Sequence, residues 1–455
     1  MRARFKFLGS TGITRRVAIL AGPLILQQLS FTLLGVTDTY FVSRISTEAV
    51  AAVGLAGVLF FALMMLFRST ANSSVVFVGR AHGGKDDAGV GRAVWNVLNV
   101  VMLLSILALS LPWVLSFIFQ FAAPADSETV RVLGTRYLQI RALEVPLVMF
   151  NAVVWGFLVG RDDSRTPMLL AWLQVGVNIF LDWCLVLGNF GFPALGVTGA
   201  AIATVLANLV IALVSAYILW RPVNRERYAL GKVHRSSQKE LLNVLKIGLP
   251  MGFGDFVEVA SFSAFFALLA RLGTDALAAN NIALQYMSMS FTMGVAVAMA
   301  ASSLVAQYLG ANEPEQAERV GYRASFLAMV IMGAIGLSYL VAPQALIGIF
   351  SQDPDVIAAG VIILQLVALY QVFDAVTIVL GGSLNGAGDT TFTMLARLIF
   401  AWGVFLPLSW FLAFPLDGGV RGAWIGAMVY LLGLGVIYFV RFRSGRWKKI
   451  EVAAS

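Results

Sequence analysis

Five carboxylates within long apolar runs of this chain are candidates for chemistry: Asp38, Glu144, Asp182, Glu258 and Asp374. An ionisable residue in a lipid-spanning helix costs about 2.5–3.5 kcal/mol on insertion scales, so each of the five needs a partner or a task. Asp182 follows Asn178 by four residues, which sets carboxylate and amide on one helical face. With Asp38, in GVTDTYF, that face offers oxygen atoms for a cation or a shared proton, and Thr204 adds a hydroxyl. Glu258 lies in GLPMGFGDFVEVASF with apolar or small neighbours and no basic residue within one turn. A carboxyl there is costly to ionise, which suits a proton carrier, and Asp374 in YQVFDAV has the same character. Glu144 follows Arg141 by three residues and is expected to form a structural ion pair with it. Arg68, deep in its run, is a candidate counter-ion for one of the acids, whereas Arg397 lies about one turn inside its run and can snorkel.

Other chemistries lack their residues. The single cysteine, Cys184, excludes an intramolecular disulfide framework and a cysteine-based metal cluster. The two histidines, His82 and His234, fall in short polar loops, which leaves neither a zinc site nor an intramembrane serine protease. There is no phosphate-cradling G-x-x-x-x-G-K-[ST] segment, so ATP-driven pumping is excluded with membrane-embedded catalysis. No enzyme is expected, and no cofactor beyond a coupling ion. A net charge of +8 would raise nucleic-acid binding in a soluble protein, but here the basic residues flank apolar spans and set orientation instead.

The elements that must hold these acids are membrane helices. The 455 residues are 59% hydrophobic and 12% charged, against about 25% charged in soluble domains. A spanning length of about 20 residues predicts helices near 17–43, 50–78, 94–119, 133–159, 168–190 and 195–220. Six more follow near 243–270, 277–306, 322–349, 359–384, 392–414 and 419–441. The first run is retained as a helix, not cleaved as a signal peptide. Basic residues crowd the termini and the loops on their side, from Arg2, Arg4, Lys6, Arg15 and Arg16 to Arg441, Arg443, Arg446, Lys448 and Lys449. The opposite loops hold only Arg44, Arg131, Arg271 and Arg421, so both termini are expected in the cytoplasm.

The polar stretch 221–240 divides the chain into halves, 1–230 and 231–455. Pro23 and Pro250, Arg44 and Arg271, Gly83 and Gly310, and Arg92 and Arg319 each stand 227 residues apart. STEAVAAVG (46–54) parallels TDALAANNI (274–282), GRDDSRTPM (160–168) parallels GAGDTTFTM (386–394), and GVTGA (196–200) echoes GVRGA (419–423). Six spans per half make the repeats parallel, a transporter architecture with the substrate path between the halves. The expected fold is an all-α integral membrane protein of twelve helices, two six-helix lobes around a central cleft. Pro23 and Pro250 loosen the backbone ladder near the start of each half and predict kinks there. With Arg68, the residues Pro23, Gln27, Gln285 and Met287 are candidates for the substrate cavity or its gate.

PLILQQLSFTLLGVTDTYFVSR (23–44), EAVAAVGL (48–55), GFLVGRDDSRTPM (156–168), GVTGAAIAT (196–204), GLPMGFGDFVEVASF (248–262), LGTDALAANNIAL (272–284) and FDAVTIVLGGSLNGAGDT (373–390) follow one another in this frame. In that order, over essentially the whole chain, the sequence resembles the multidrug and toxic compound extrusion (MATE) family. The resemblance implies a cation-coupled antiporter that exports small organic, often cationic, compounds from the bacterial inner membrane, with no obligatory protein partner. It maps Asp38, Asn178, Asp182 and Thr204 onto the N-lobe cation or proton site of the DinF-type branch. It maps Glu258 and Asp374 onto the C-lobe acids of the NorM-type branch. Carrying both sets leaves open the coupling lobe and the ion: H⁺, or Na⁺ at Asp38, Asn178 and Asp182 or at Glu258 and Asp374. YLQIRALEVP (137–146) leans toward the DinF-type pattern and so toward H⁺ and the N-lobe. A flippase for a lipid-linked sugar is the neighbouring alternative. Such a cavity needs several basic residues for a pyrophosphate, and the acids here outnumber Arg68 and Arg141.

Overall fold

The computed structural model describes residues 10–108, 110–122 and 127–452; Arg2, Arg4 and Lys6 of the orientation argument lie outside them. In lipid every backbone polar group must be satisfied within the protein, which a chain this apolar achieves with helices. Among the described residues twelve helices are long and apolar enough to cross a membrane. They are α1 (Gly12–Ser43), α2 (Thr47–Gly83), α3 (Asp87–Ala108), α4 (Glu128–Val159), α5 (Arg165–Leu185) and α6 (Val197–Trp220). The second set is α7 (Gln238–Ala270), α8 (Thr274–Gly310), α9 (Pro314–Val341), α10 (Pro354–Ala387), α11 (Thr390–Ala413) and α12 (Gly419–Arg443). The chain is therefore a multi-pass integral membrane protein of two six-helix repeats.

Local chemistry sets where these helices begin and break. The Ser46 hydroxyl accepts from the Ala49 N–H at 3.1 Å and caps α2. Asp353, followed by Pro354, opens α10, and Gly388, at φ 89°, closes it in the left-handed region. The third span is shorter than the apolar run suggests. It ends at Ala108, and a separate helix, Leu111–Ala122, starts with proline in its first turn. In α4 the ladder tightens to a 3₁₀ turn at Ala142–Glu144, just ahead of Pro146, which has no N–H to give. α11 passes through a π turn at Ala401–Phe405, ahead of Pro407. α1 and α7 run on as α-helix through Pro23 and Pro250.

The compact units do not follow the halves of the sequence. One unit, the amino-side unit, holds Leu26–Gly252 with Val452; the other, the carboxy-side unit, holds the residues up to Ile25 and Phe253–Glu451. The two boundaries, before Leu26 and before Phe253, are again 227 residues apart. Each falls inside a repeat's first helix, three residues beyond its proline. In the carboxy-side unit Arg16, on α1, donates to Gln307 Oε1 at 2.6 Å and stacks over Tyr308. In the amino-side unit Gly252, on α7, comes so close to α2 that a Cβ would lie 2.1 Å from the Leu66 carbonyl oxygen.

Equivalent glycine pairs also bind equivalent helices. Gly156 and Gly160 of α4 approach α2 in the amino-side unit, where a Cβ on Gly156 would meet Ser74 Oγ at 1.9 Å. Gly382 and Gly386 of α10 approach α8 in the carboxy-side unit, where a Cβ on Gly386 would meet the Ser302 carbonyl oxygen at 2.2 Å. Helices in lipid gain little from apolar contact with one another, so small residues four apart that bring backbones together supply the packing. The stretch 221–240 is docked on the amino-side unit. Asn99 Nδ2 donates to the His234 carbonyl at 3.0 Å and to Ser236 Oγ at 2.7 Å, and Arg161 donates to Tyr228 Oη at 3.1 Å.

Candidate functional site

In the amino-side unit, α1 and α5 bring Asp38 and Asp182 together. Their carboxyl groups act on one another electrostatically. Ionised carboxylates are acceptors only, so a hydrogen bond between the two requires a shared proton. Asn178 closes the group: with its amide nitrogen toward the acids, Nδ2 lies 2.7 Å from Asp38 Oδ1 and 3.1 Å from Asp182 Oδ2. Asn178 and Asp182 are fully buried, and Asp182 Oδ1 receives no hydrogen bond. The Thr204 hydroxyl donates to the Ala200 carbonyl of its own helix at 3.0 Å.

Beside this group the Arg141–Glu144 pair forms as its spacing predicts. Arg141 Nη2 lies 2.8 Å from Glu144 Oε1, and Arg141 Nη1 donates to Tyr137 Oη at 2.9 Å. Breaking such a buried pair by removing one partner costs about 3–5 kcal/mol. Sequence reading missed what surrounds the pair. Asn208 of α6 donates to Glu144 Oε2 at 3.1 Å, and Gln174 of α5 donates to Asn208 Oδ1 at 3.1 Å. Gln174, Asn178 and Asp182 stand at four-residue intervals, a polar stripe in α5 that could have pointed to this partner. Arg141 also acts electrostatically on Asp38 and Asp182.

In the carboxy-side unit the expectation for Glu258 is corrected. Its own helix supplies no cation, but α11 does: Arg397 Nε lies 3.3 Å from Glu258 Oε2. Arg397 also pairs with Asp255, one turn before Glu258 on α7, so this arginine does not simply snorkel to the interface. Helix periodicity shows only neighbours on one helix, and this cation lies 142 residues from Asp255. Asp374 of α10 is buried, and Glu258 acts on it electrostatically. Tyr438 donates to the Thr393 carbonyl at 3.1 Å. The rings of Phe265, Phe405, Trp424 and Tyr430 pack on one another in the same unit.

The remaining candidates are dispersed. Arg68 lies with its guanidinium 5.1 Å from the Phe31 ring centre, a cation–π contact. Gln27 is buried and accepts from Trp155 Nε1 at 3.1 Å, tying α1 to α4 within the amino-side unit. Pro23 lies on the part of α1 that belongs to the carboxy-side unit. On α8, Gln285 is exposed and Met287 half-buried, and neither enters the hydrogen bonds of either acid group. Among the described residues no three His, Cys, Asp or Glu side chains gather as a metal would require.

Twelve spans in a repeated frame, with acids at mid-helix in each unit, define a polytopic membrane transporter and not an enzyme. The chain belongs to the MatE family, whose model matches it twice, at residues 23–184 and 250–411. The two matches are offset by the same 227 residues as the repeats. A probable multidrug resistance protein NorM of Thermotoga maritima is 28% identical over 97% of this chain and 94% of its own length. A protein of the same description from Burkholderia mallei is 30% identical over 93% of this chain and 91% of its own length. The fold matches that of an outward-facing multidrug resistance MATE family transporter of the MOP superfamily, with a TM-score of 0.86 at 20% identity, covering 96% of this chain and 97% of the other. It also matches a MOP superfamily transporter from Pyrococcus furiosus, described as having a binding pocket of reversed polarity, with a TM-score of 0.84 at 22% identity over 95% of each chain.

Proposed function

We propose that this protein is a multidrug exporter of the bacterial inner membrane. On this reading it expels small organic cations by alternating access in exchange for an inward-moving cation, with both termini in the cytoplasm. The two sequence repeats, 1–230 and 231–455, correspond to the bodies that move, except that the first part of each repeat, up to Ile25 and up to Gly252, belongs to the other compact unit. The coupling ion is a proton exchanged at Asp38, Asn178 and Asp182, with Thr204 in the wall of the site. One observation carries the reading: two acids from different helices, α1 and α5, meet at the amide of Asn178, 2.7 Å from Asp38 Oδ1 and 3.1 Å from Asp182 Oδ2. A site of that kind changes charge when one proton enters or leaves, and it needs no rearrangement of ligands to do so. Competition follows from charge, because a cationic substrate favours the deprotonated site and a proton from outside favours the empty one. A ligand shifts an equilibrium only by its difference in affinity for the two states, and this competition supplies that difference.

Glu258 and Asp374 form the second reading, as a Na⁺ or H⁺ site. Arg397 already compensates the Glu258 carboxylate, which makes this group the weaker candidate. The relatives named for multidrug resistance support drug export over a lipid flippase. The test is transport of a fluorescent organic cation by purified protein in proteoliposomes under a proton gradient and, separately, a sodium gradient. Wild type is expected to respond to the proton gradient, Asp38→Asn to lose that response, and Glu258→Gln to keep it. Movement driven by sodium alone, or a response lost only in Glu258→Gln, would transfer coupling to the carboxy-side unit.

A further inference from the structure

α5 carries two opposed stripes. Gln174 and Asn178 turn inward, to Asn208 and Asp38. Gly176 lies between them in sequence and about 200° around the helix from each, on an exposed stripe with Trp172 and Phe180. That stripe and Leu206, Leu209 and Leu213 of α6 line a groove of about 570 Å³, within the range of about 300–1,000 Å³ for ligand sites. Gly176 leaves the floor of the groove open. A Cβ there would meet no atom within 4 Å, whereas Gly156 and Gly386 are held against neighbouring helices. Glycine weakens a helix interior, and among the described residues no close contact offsets that weakness at Gly176. The walls are aliphatic and aromatic, so the groove offers no counter-charge to an organic cation and suits a hydrocarbon chain.

The two ends of the groove differ. At one end Phe180 packs with Trp183 and Phe190, ring centres 6.5 and 6.3 Å away, and these rings bound it. Beyond the other end stand two cations. Arg165 opens α5 on the same stripe, seven residues before Trp172, and Arg221 follows α6 with its guanidinium 5.8 Å from the Tyr217 ring centre. α5 and α6 are antiparallel, joined by residues 186–196, so both arginines lie on one side of the membrane. Both are exposed, and among the described residues neither enters an ion pair. From Arg165 to Phe180 the helix rises about 22 Å, the depth of one leaflet with its headgroups, which is half of about 40–45 Å. We propose that this groove is a binding site for an anionic phospholipid, with one acyl chain lying over Gly176 and the phosphate at Arg165 and Arg221. A second copy of the chain is the rival occupant. A two-fold axis along the membrane normal would set the arginines of one copy against those of the other, like charge against like, whereas an anionic headgroup neutralises them. The inference requires only that the chain spans a membrane and is independent of what it transports.

The test is native mass spectrometry of the full chain in detergent, titrated with palmitoyl-oleoyl phosphatidylglycerol or palmitoyl-oleoyl phosphatidylcholine. Wild type is expected to retain one phosphatidylglycerol in preference to phosphatidylcholine, by about fivefold for each arginine. Gly176→Leu fills the notch and is expected to lower retention of both lipids by about tenfold, the equivalent of two methylenes left unburied. Its unfolding temperature should stay at the wild-type value, because the new side chain meets open space. Should that variant fail to fold, Leu209→Trp obstructs the groove from α6 and is expected to act in the same way. Arg165→Gln with Arg221→Gln is expected to erase the preference between the two lipids while a chain is still held. Gly403→Leu, at another exposed glycine with no atom within 4 Å of a Cβ, is the control and should leave both lipids bound as in wild type. Equal retention of the two lipids by wild type overturns the proposal, as does a folded Gly176→Leu that holds phosphatidylglycerol like wild type. A dimer that Gly176→Leu dissolves would give the groove to a second copy instead. Failure of wild type to move any organic cation would sink the export reading and leave this result standing.

Discussion

The amino-side and carboxy-side units each bury acids around one arginine, but they connect them differently. In the amino-side unit Arg141 takes its carboxylate from three residues away, Glu144, and Asn208 secures that carboxylate from behind. Asp38 and Asp182 are left to satisfy each other. In the carboxy-side unit Arg397 pairs directly with Asp255 and Glu258, and Asp374 stands apart on another helix. The same cost of burying charge is thus met once by a private ion pair beside a proton-sharing pair, and once by a shared ion pair that engages the acids themselves. An acid whose charge is balanced by a fixed cation gains little by binding a mobile one. The arrangement, more than the number of acids, separates an exchanging site from a structural one.

The largest effect should come from breaking the carboxy-side balance. Arg397→Met strands Asp255 and Glu258, which are half-buried, and thermal unfolding should report a loss between the about 0–1 kcal/mol of an exposed pair and the about 3–5 kcal/mol of a buried one; a loss as small as that of an exposed pair would mean that Arg397 does not hold these acids. Next comes the coupling itself: Asp38→Asn should lower proton-driven transport by about 100-fold, within the usual range of coupling energies. Glu258→Gln should lower it only a few-fold, and equal losses in both variants would erase the contrast between the units. A finer test compares the glycine contacts. Gly386→Ala forces a Cβ against the Ser302 backbone and should cost about 1–3 kcal/mol. Gly156→Ala meets the Ser74 hydroxyl, which can turn aside, but also the Val75 backbone nitrogen at 2.7 Å, and should cost a similar amount when the two are unfolded side by side. The smallest effect is the control: Arg227→Ala removes an exposed pair with Asp87, 3.1 Å apart, and should change stability by about 0–1 kcal/mol.

Much of this was legible before any coordinates. Apolar run length finds the twelve spans, with ends shifted by several residues where polar turns extend a helix and the third cut short at Ala108, before the separate helix Leu111–Ala122. Arg141 and Glu144 pair as predicted because three residues of separation on a helix is itself a contact. The joining of Asp38 to Asp182 was expected from their residue types and the Asn178 spacing, and the structure brings all three together. Other partners had no local signal. Arg397 reaches α7 from α11, Asn208 reaches Glu144 from 64 residues away, and Thr204 turns to its own backbone.

The sequence by itself determined the solvent, the helices, the repeat and the set of acids that needed explaining, because each follows from local composition and periodicity. Only the tertiary structure decided which cation each acid meets and where one compact unit stops and the other starts. Helical periodicity continues unbroken through Ile25 and Gly252, so nothing in the pattern of residues marks the change of unit there. Whether a buried carboxylate is balanced or left to share a proton depends on side chains that the fold brings in from distant helices. Hydrophobic patterning reports which face is buried and is silent on what that face will touch.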